Sequence, residues 1–326
     1  VKTNIGFLLN VLNHPQFIAG QCDTGFIAAN PELLDIVTKI DRELKVLTYI
    51  GNKVVNETRG EKPNFNVPLF PKIPAAEIEE LSGTKQLLDK HGPEFVKNWV
   101  LEQKKLLVTD TTMRDAQQSL MATRVRTVDM TKIAPAVAKY EKDAFSLEMW
   151  GGATFDTAYR FLKESPWKRL DELREKIPNI LFQMLIRGAN AVGYKNYPDN
   201  VIREFVKQSA AGGIDVFRIF DSLNWIPGME VALDEVLNRG KIAEATLCYT
   251  GDILDESRTK YNLDYYVRMA KELERRGTHI IGIKDMSGLL KPGAAMKLVK
   301  ALKNEVAVPI HLHTHDTSGN GVATVL

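Results

Sequence analysis

From residue 106 onward the chain repeats one pattern. A short apolar or β-branched run is followed by a longer stretch with apolar residues at helical spacing and many Lys and Glu residues. The runs are Leu106–Thr109, Phe145–Met149, Ile180–Ile186, Val216–Phe220, Ala245–Tyr249, Ile280–Ile283 and Pro309–His313. Their starts lie roughly 30–40 residues apart, the length that a strand–helix–strand crossover needs. Such alternation predicts parallel strands covered by helices.

Seven strands fit either an open doubly wound sheet or most of an eight-stranded barrel. Polar residues gather just after the runs, as in Asp110-Thr111-Thr112, Trp150-Gly151-Gly152, Arg187, Asp221-Ser222, Lys284-Asp285 and His315-Asp316. A barrel builds its active site at that C-terminal rim, from several strands. No GxGxxG follows the first run, as a dinucleotide-binding sheet would usually require. The expectation is an α/β fold of the TIM-type (β/α)8 barrel class, truncated before its eighth strand. That strand is expected beyond Leu326, in a longer polypeptide of which this chain is an internal piece.

The first hundred residues read differently. Residues 1–36 suggest helical turns broken at Asn13-His14-Pro15 and Asn30-Pro31. Residues 44–56 mix β-branched residues around Gly51-Asn52, which predicts a hairpin. Residues 57–76 are rich in proline and polar residues, a linker composition. Residues 78–100 predict two helices parted by Gly92-Pro93.

Composition narrows the function. The formal net charge is only +2 over 326 residues, against a dedicated nucleic-acid binder. No apolar run approaches the ~18 residues needed to cross a bilayer. Cys22 and Cys248 form no CxxC pair, so neither a disulfide framework nor a thiolate zinc site is expected, and a reducing compartment is.

The densest chemical signal is His311-Leu312-His313-Thr314-His315-Asp316. Alternate strand residues share a face, so His313 and His315 can converge on one metal ion, while His311 sits deeper and reads as structural. Further ligands should be carboxylates from other strands, and either Asp110 or Asp115 could reach the axis. Lys284 ends an apolar strand and either snorkels to the rim or points into the mouth, where a neutral or carbamylated amine could serve as a ligand. Arg187 offers a planar fork for a small carboxylate, or else pairs with a rim carboxylate. Met149-Trp150-Gly151-Gly152 reads as pocket wall or core.

Five segments carry a resemblance: TDTTMRDAQQ (109–118), LEMWGGATFD (147–156), LIRGANAVGYKNYPDN (185–200), KDMSGLLKP (284–292) and HLHTHDTSGNG (311–321). In this order they resemble the carboxyltransferase domain of the pyruvate carboxylase family, from about Leu81 to the end. Residues 1–27 resemble the tail of a biotin carboxylase domain. The resemblance implies a division into that tail (1–36), a linker and part of a central tetramerisation domain (37–76), and an incomplete carboxyltransferase barrel (77–326).

It also implies site residues. Metal ligands fall on Asp115, His313, His315 and Lys284 as a carbamate, around Mn²⁺ or Zn²⁺. Pyruvate contacts fall on Arg187 and Gln118, with Arg114 close by. The biotin pocket falls on Asp156 and Tyr194. Gln117 departs from the His that many relatives carry there. The implied reaction moves a carboxyl group from carboxybiotin to the enolate of pyruvate. A threonine beyond Leu326 would relay the proton, and ATP and Mg²⁺ would act at a separate carboxylase site. A homotetramer with neither nucleic-acid nor membrane partners is implied, in the cytoplasm or, in a eukaryote, the mitochondrial matrix. The alternatives are a transcarboxylase or oxaloacetate decarboxylase subunit, a metal-dependent lyase of the hydroxymethylglutaryl-CoA lyase type, or an assembly module.

Overall fold

The computed structural model describes residues 4–35, 42–56 and 81–326. The chain forms two compact units, Val1–Lys72 and Ile73–Leu326. In the first, helices Ile5–Asn13 and Pro15–Ile18 are separated at His14, whose ring accepts from the Gln16 N–H and caps the second helix. Pro31 opens a short 3₁₀ turn, Pro31–Leu34. Both breaks expected at Asn-Pro and His-Pro steps are present.

The hairpin expected over residues 44–56 is absent: Arg42–Asn56 is one α-helix. Leu47, Ile50 and Val54 are spaced i, i+3 and i+7 and share one side of it, which outweighs the β-branched content. The single Gly51 costs an exposed helix only about 1 kcal/mol. The linker expected over 57–76 lies outside the described residues.

In the second unit seven strands pair in chain order, all parallel. They are β1 (Thr109–Asp110), β2 (Ser146–Trp150), β3 (Leu181–Ile186), β4 (Val216–Ile219), β5 (Ile242–Cys248), β6 (Ile280–Asp285) and β7 (Ile310–Thr314). Helices such as Thr127–Tyr140, Asp199–Ala211 and Leu263–Arg275 connect them. Side chains show that the sheet curls. Arg218 on β4 contacts His311 and His313 on β7, three strands away, which a flat sheet cannot allow. This is barrel architecture, with β1 and β7 as its two edges. Strand β1 is shorter than the expected Leu106–Thr109 run. Leu106 and Val108 are 79% and 58% exposed, and only Thr109 and Asp110 pair with β2.

Among the described residues, the two larger apolar clusters hold the barrel. The larger lies between strands and helices and includes Leu147, Met149, Phe182, Met184, Phe217, Ile219, Leu273 and Ile283. The smaller closes the N-terminal end. There the starts of the strands, Phe145, Leu181, Val216, Ile242 and Ile280, pack on Leu88 and Val96. Those two residues come from helices Thr84–His91 and Pro93–Glu102, which part at Gly92-Pro93 as the sequence predicts. With that end plugged by apolar side chains, the polar rim at the other end is the open one.

Candidate metal centre and active site

The rim is built from loops that hold their own shape. After β1, Thr112–Ala116 makes a π-type turn, with the Ala116 N–H donating to the carbonyl of Thr111 before it at 3.0 Å. Such turns concentrate at functional positions. This one buries Arg114 and Asp115 side by side. After β6, both Asp285 carboxylate oxygens accept from the backbone, Leu289 N–H and Leu290 N–H at 2.9 Å each. Gly288, at φ +65°, lies so close to the next loop that a Cβ would stand 2.7 Å from Ser318 N. After β7, Asp316 accepts from the Gly321 N–H at 2.6 Å. The loops after β6 and β7 thereby fix each other and the histidines between them.

Asp115, His313 and His315 converge. Asp115 Oδ2 lies 3.5 Å from His313 Nε2 and 3.6 Å from His315 Nε2, and one ligand atom from each lies within 4.8 Å of the others. His313 Nε2 is buried and has no hydrogen-bond partner. Burial, then the cations Arg218 and Lys284, push the His313 pKa far down, so its imidazole is neutral, the form that ligates metals. Burial and Lys284 lower His315 as well. An orphaned neutral imidazole facing a carboxylate and a second imidazole fits a metal ion.

The geometry also separates the two aspartates that residue spacing alone leaves open. Asp110 accepts from the backbone and hydroxyl of Thr112 at 2.9 and 3.0 Å, capping the turn. Asp115 is the one beside the histidines. Lys284 is buried, not snorkelling, and its Nζ lies 3.5 Å from His315 Nε2. Burial, reinforced by Arg114 and Arg218, lowers its pKa from 10.5 to about 8, leaving part of the amine neutral near physiological pH.

Arg187 directly follows β3 and donates from Nη1 to the Gly193 carbonyl at 3.0 Å, with its guanidinium 5.2 Å from the ring of Tyr194. Among the described residues no carboxylate pairs with it. Gly152 is the reason it fits: a Cβ there would stand 2.6 Å from the guanidinium carbon. Its neighbour Gly151 bears the same relation to Arg114, with a Cβ 3.1 Å from Cδ. The Gly-Gly step after β2 therefore brings both guanidiniums against one backbone segment. Gln118 Oε1 is buried without a partner, a polar atom held for a ligand or solvent. Gln117 is structural: its amide spans Met113 O at 3.0 Å and Val125 N at 3.2 Å. Asp156 lies on helix Gly152–Thr157 in an ion pair with Arg160 at 3.2 Å, and Tyr194 is 73% exposed.

Sequence reasoning missed the charges inside the barrel. Glu148, Arg218 and Glu244 are all within 1% of full burial. Arg218 donates from Nε to Glu244 Oε1 at 2.6 Å, while its Nη2 lies 2.9 Å from His311 Nδ1. His311 Nδ1 also lies 2.9 Å from Glu244 Oε2. The signal was present as single charges set inside apolar strands: Leu-Glu-Met, Phe-Arg-Ile and Ala-Glu-Ala.

The HMGL-like family model matches residues 242–326. Over 326 residues, 99% of this chain, the sequence is 61% identical to the pyruvate carboxylase of Bacillus subtilis (strain 168). Similarity to proteins named pyruvate carboxylase thus runs along nearly the whole of this chain. The human mitochondrial pyruvate carboxylase is 53% identical over 330 residues. The chain spans 28% of the length of each of these two relatives. The carboxyl transferase domain of Rhizobium etli pyruvate carboxylase, solved with pyruvate and biocytin, matches with TM-score 0.77 and 52% identity. That match covers 87% of this chain and 48% of the solved one.

Proposed function

We propose that this chain contributes the carboxyltransferase site of a biotin-dependent pyruvate carboxylase, forming oxaloacetate from pyruvate and carboxybiotin. The observation that carries the reading is the meeting of Asp115, His313 and His315 beside Lys284 at the open rim. Relatives named pyruvate carboxylase align with all of the chain, whereas the HMGL-like match covers only residues 242–326, which favours this over a lyase.

Asp115, His313 and His315 would hold Mn²⁺ or Zn²⁺, with Lys284 as a carbamate completing the set. When bound, the ion would polarise the substrate carbonyl. Arg187 would orient the pyruvate carboxylate through paired, charge-assisted hydrogen bonds, and Gln118 would contact it from the helix after the π-type turn. Carboxybiotin, when bound, would supply CO₂ by heterolysis of its N–C bond, leaving a ureido nitrogen basic enough to take up the methyl proton, relayed by the threonine expected beyond Leu326. Arg114 would lie close to the enolate oxygen and stabilise its charge, which develops mainly in the transition state. The enolate carbon then bonds to the released CO₂.

Asp156 and Tyr194 would border the biotin ring, Asp156 from the helix after β2 and Tyr194 beside Arg187. Residues 1–36 would close a biotin carboxylase domain that uses ATP and Mg²⁺, and residues 37–76 would join a tetramerisation domain. The assembly would be a homotetramer in the bacterial cytoplasm or the mitochondrial matrix. Among the described residues no helix is long and apolar enough to cross a membrane.

The test is Arg187→Lys in the full-length enzyme. An ammonium cannot reproduce the guanidinium fork. Oxaloacetate formation should nearly vanish while bicarbonate-dependent ATP cleavage persists. Near-normal oxaloacetate formation would reduce Arg187 to a rim residue without a substrate role.

A further inference from the structure

An alternating chain of charge runs from the rim into the barrel. Asp115 Oδ1 accepts from Arg114 Nη1 at 2.8 Å, and Arg114 Nη2 lies 2.6 Å from Glu148 Oε1. Glu148 then faces Arg218 at 3.9 Å, and Arg218 meets Glu244 at 2.6 Å. Glu148 is fully buried on β2, and neither of its oxygens makes an aligned hydrogen bond. Its ties are therefore electrostatic, from Oε1 to the guanidiniums of Arg114 and Arg218.

The two oxygens of Asp115 are not equivalent. Oδ1 is taken by Arg114, and Oδ2 is the one that faces both histidines. Which oxygen faces the metal position thus depends on where Arg114 stands. Arg114 is paired with Glu148 and lies close against Gly151, where a Cβ would stand 3.1 Å from its Cδ. We propose that Glu148 is a positioning residue for the metal centre: it fixes Arg114 against Asp115 Oδ1, so that Oδ2 is presented to the ion. The proposal rests on the metal-site reading above and extends it to a residue that touches neither metal nor substrate. Groups that orient metal ligands typically cost 10–100-fold in metal affinity when removed.

The experiment is Mn²⁺ binding to the full-length enzyme in competition with a chelator. Glu148→Gln keeps the shape and removes the charge. It should stay folded by circular dichroism and lose metal affinity by about 10–100-fold. A second variant, Gly151→Ala, presses on Arg114 from the side without altering any buried charge, and should lower affinity several-fold. If Glu148→Gln fails to fold, Gly151→Ala decides. Folded variants that bind Mn²⁺ within about twofold of the parent overturn the positioning role. A parent that binds neither Mn²⁺ nor Zn²⁺ overturns the metal centre itself, and this proposal with it.

Discussion

The two ends of the barrel bury charge in opposite ways. At the N-terminal end Asp215 is fully buried with both oxygens engaged. Oδ1 meets Lys241 at 3.0 Å and Lys85 at 3.5 Å. Oδ2 accepts from Arg174 at 2.7 Å and the Phe182 N–H at 3.0 Å. Arg174 also donates to the carbonyls of Ile177, Ile180 and Gly213, leaving only its Nε unpaired. At the C-terminal end His313 Nε2, Gln118 Oε1 and Arg114 Nε are buried and unpartnered. A buried polar atom without a partner costs stability, so it persists where something else fills the need. The paired charges of Asp215 at one end suit a structural role, and the unpaired polar atoms at the other fit a ligand site.

Substitution at each end should separate these roles. The largest effect is expected from His313→Ala. It should lower carboxyl transfer at least ~10²–10³-fold, the scale of losing an electrostatic stabiliser, with the protein still folded. Steady-state kinetics with metal analysis checks this. Asp215→Asn should do the reverse. Breaking a buried charge cluster costs about 3–5 kcal/mol, read as a lower urea midpoint, with kcat unchanged where the protein remains folded. If Asp215→Asn instead abolished transfer without loss of stability, the division between the ends would fail.

The smallest effect concerns His279, also at the N-terminal end, where its Nδ1 accepts the Ala243 N–H at 3.0 Å. Burial lowers its pKa below 6.5, with Glu94 opposing and Lys97 adding to the shift. The folded state therefore binds fewer protons than the unfolded state between the two pKa values. Stability from this group is complete above about pH 6.5 and declines as pH falls toward the folded pKa. The slope should not exceed about 1.4 kcal/mol per pH unit, and His279→Gln should flatten it in urea titrations at pH 7 and 5.5.

The same contrast explains what could be read in the sequence. Strands buried on both faces leave largely apolar runs, so β2 to β6 are legible to within a few residues, while half-buried β7 is marked by its alternating histidines. The HxH spacing, with polar residues at strand ends, pointed to the rim because side-chain alternation is a local property. Choosing Asp115 over Asp110 was not local: a π-type turn decides which carboxylate swings inward. The interior chain of Glu148, Arg218 and Glu244 escaped notice because its partners lie on different strands. Helix Arg42–Asn56 was misread because Gly51-Asn52 among β-branched residues also fits a hairpin turn, and the i, i+3, i+7 spacing was the stronger signal.

The most direct test of the rim as a metal centre is anomalous diffraction from crystals of the full-length enzyme at the Mn and Zn absorption edges. One strong peak should appear roughly 2.0–2.3 Å from His313 Nε2, His315 Nε2 and Asp115 Oδ2. Added density on Lys284 Nζ should point at that peak. A protein-bound metal located elsewhere, with His313 and His315 unligated, would contradict this reading.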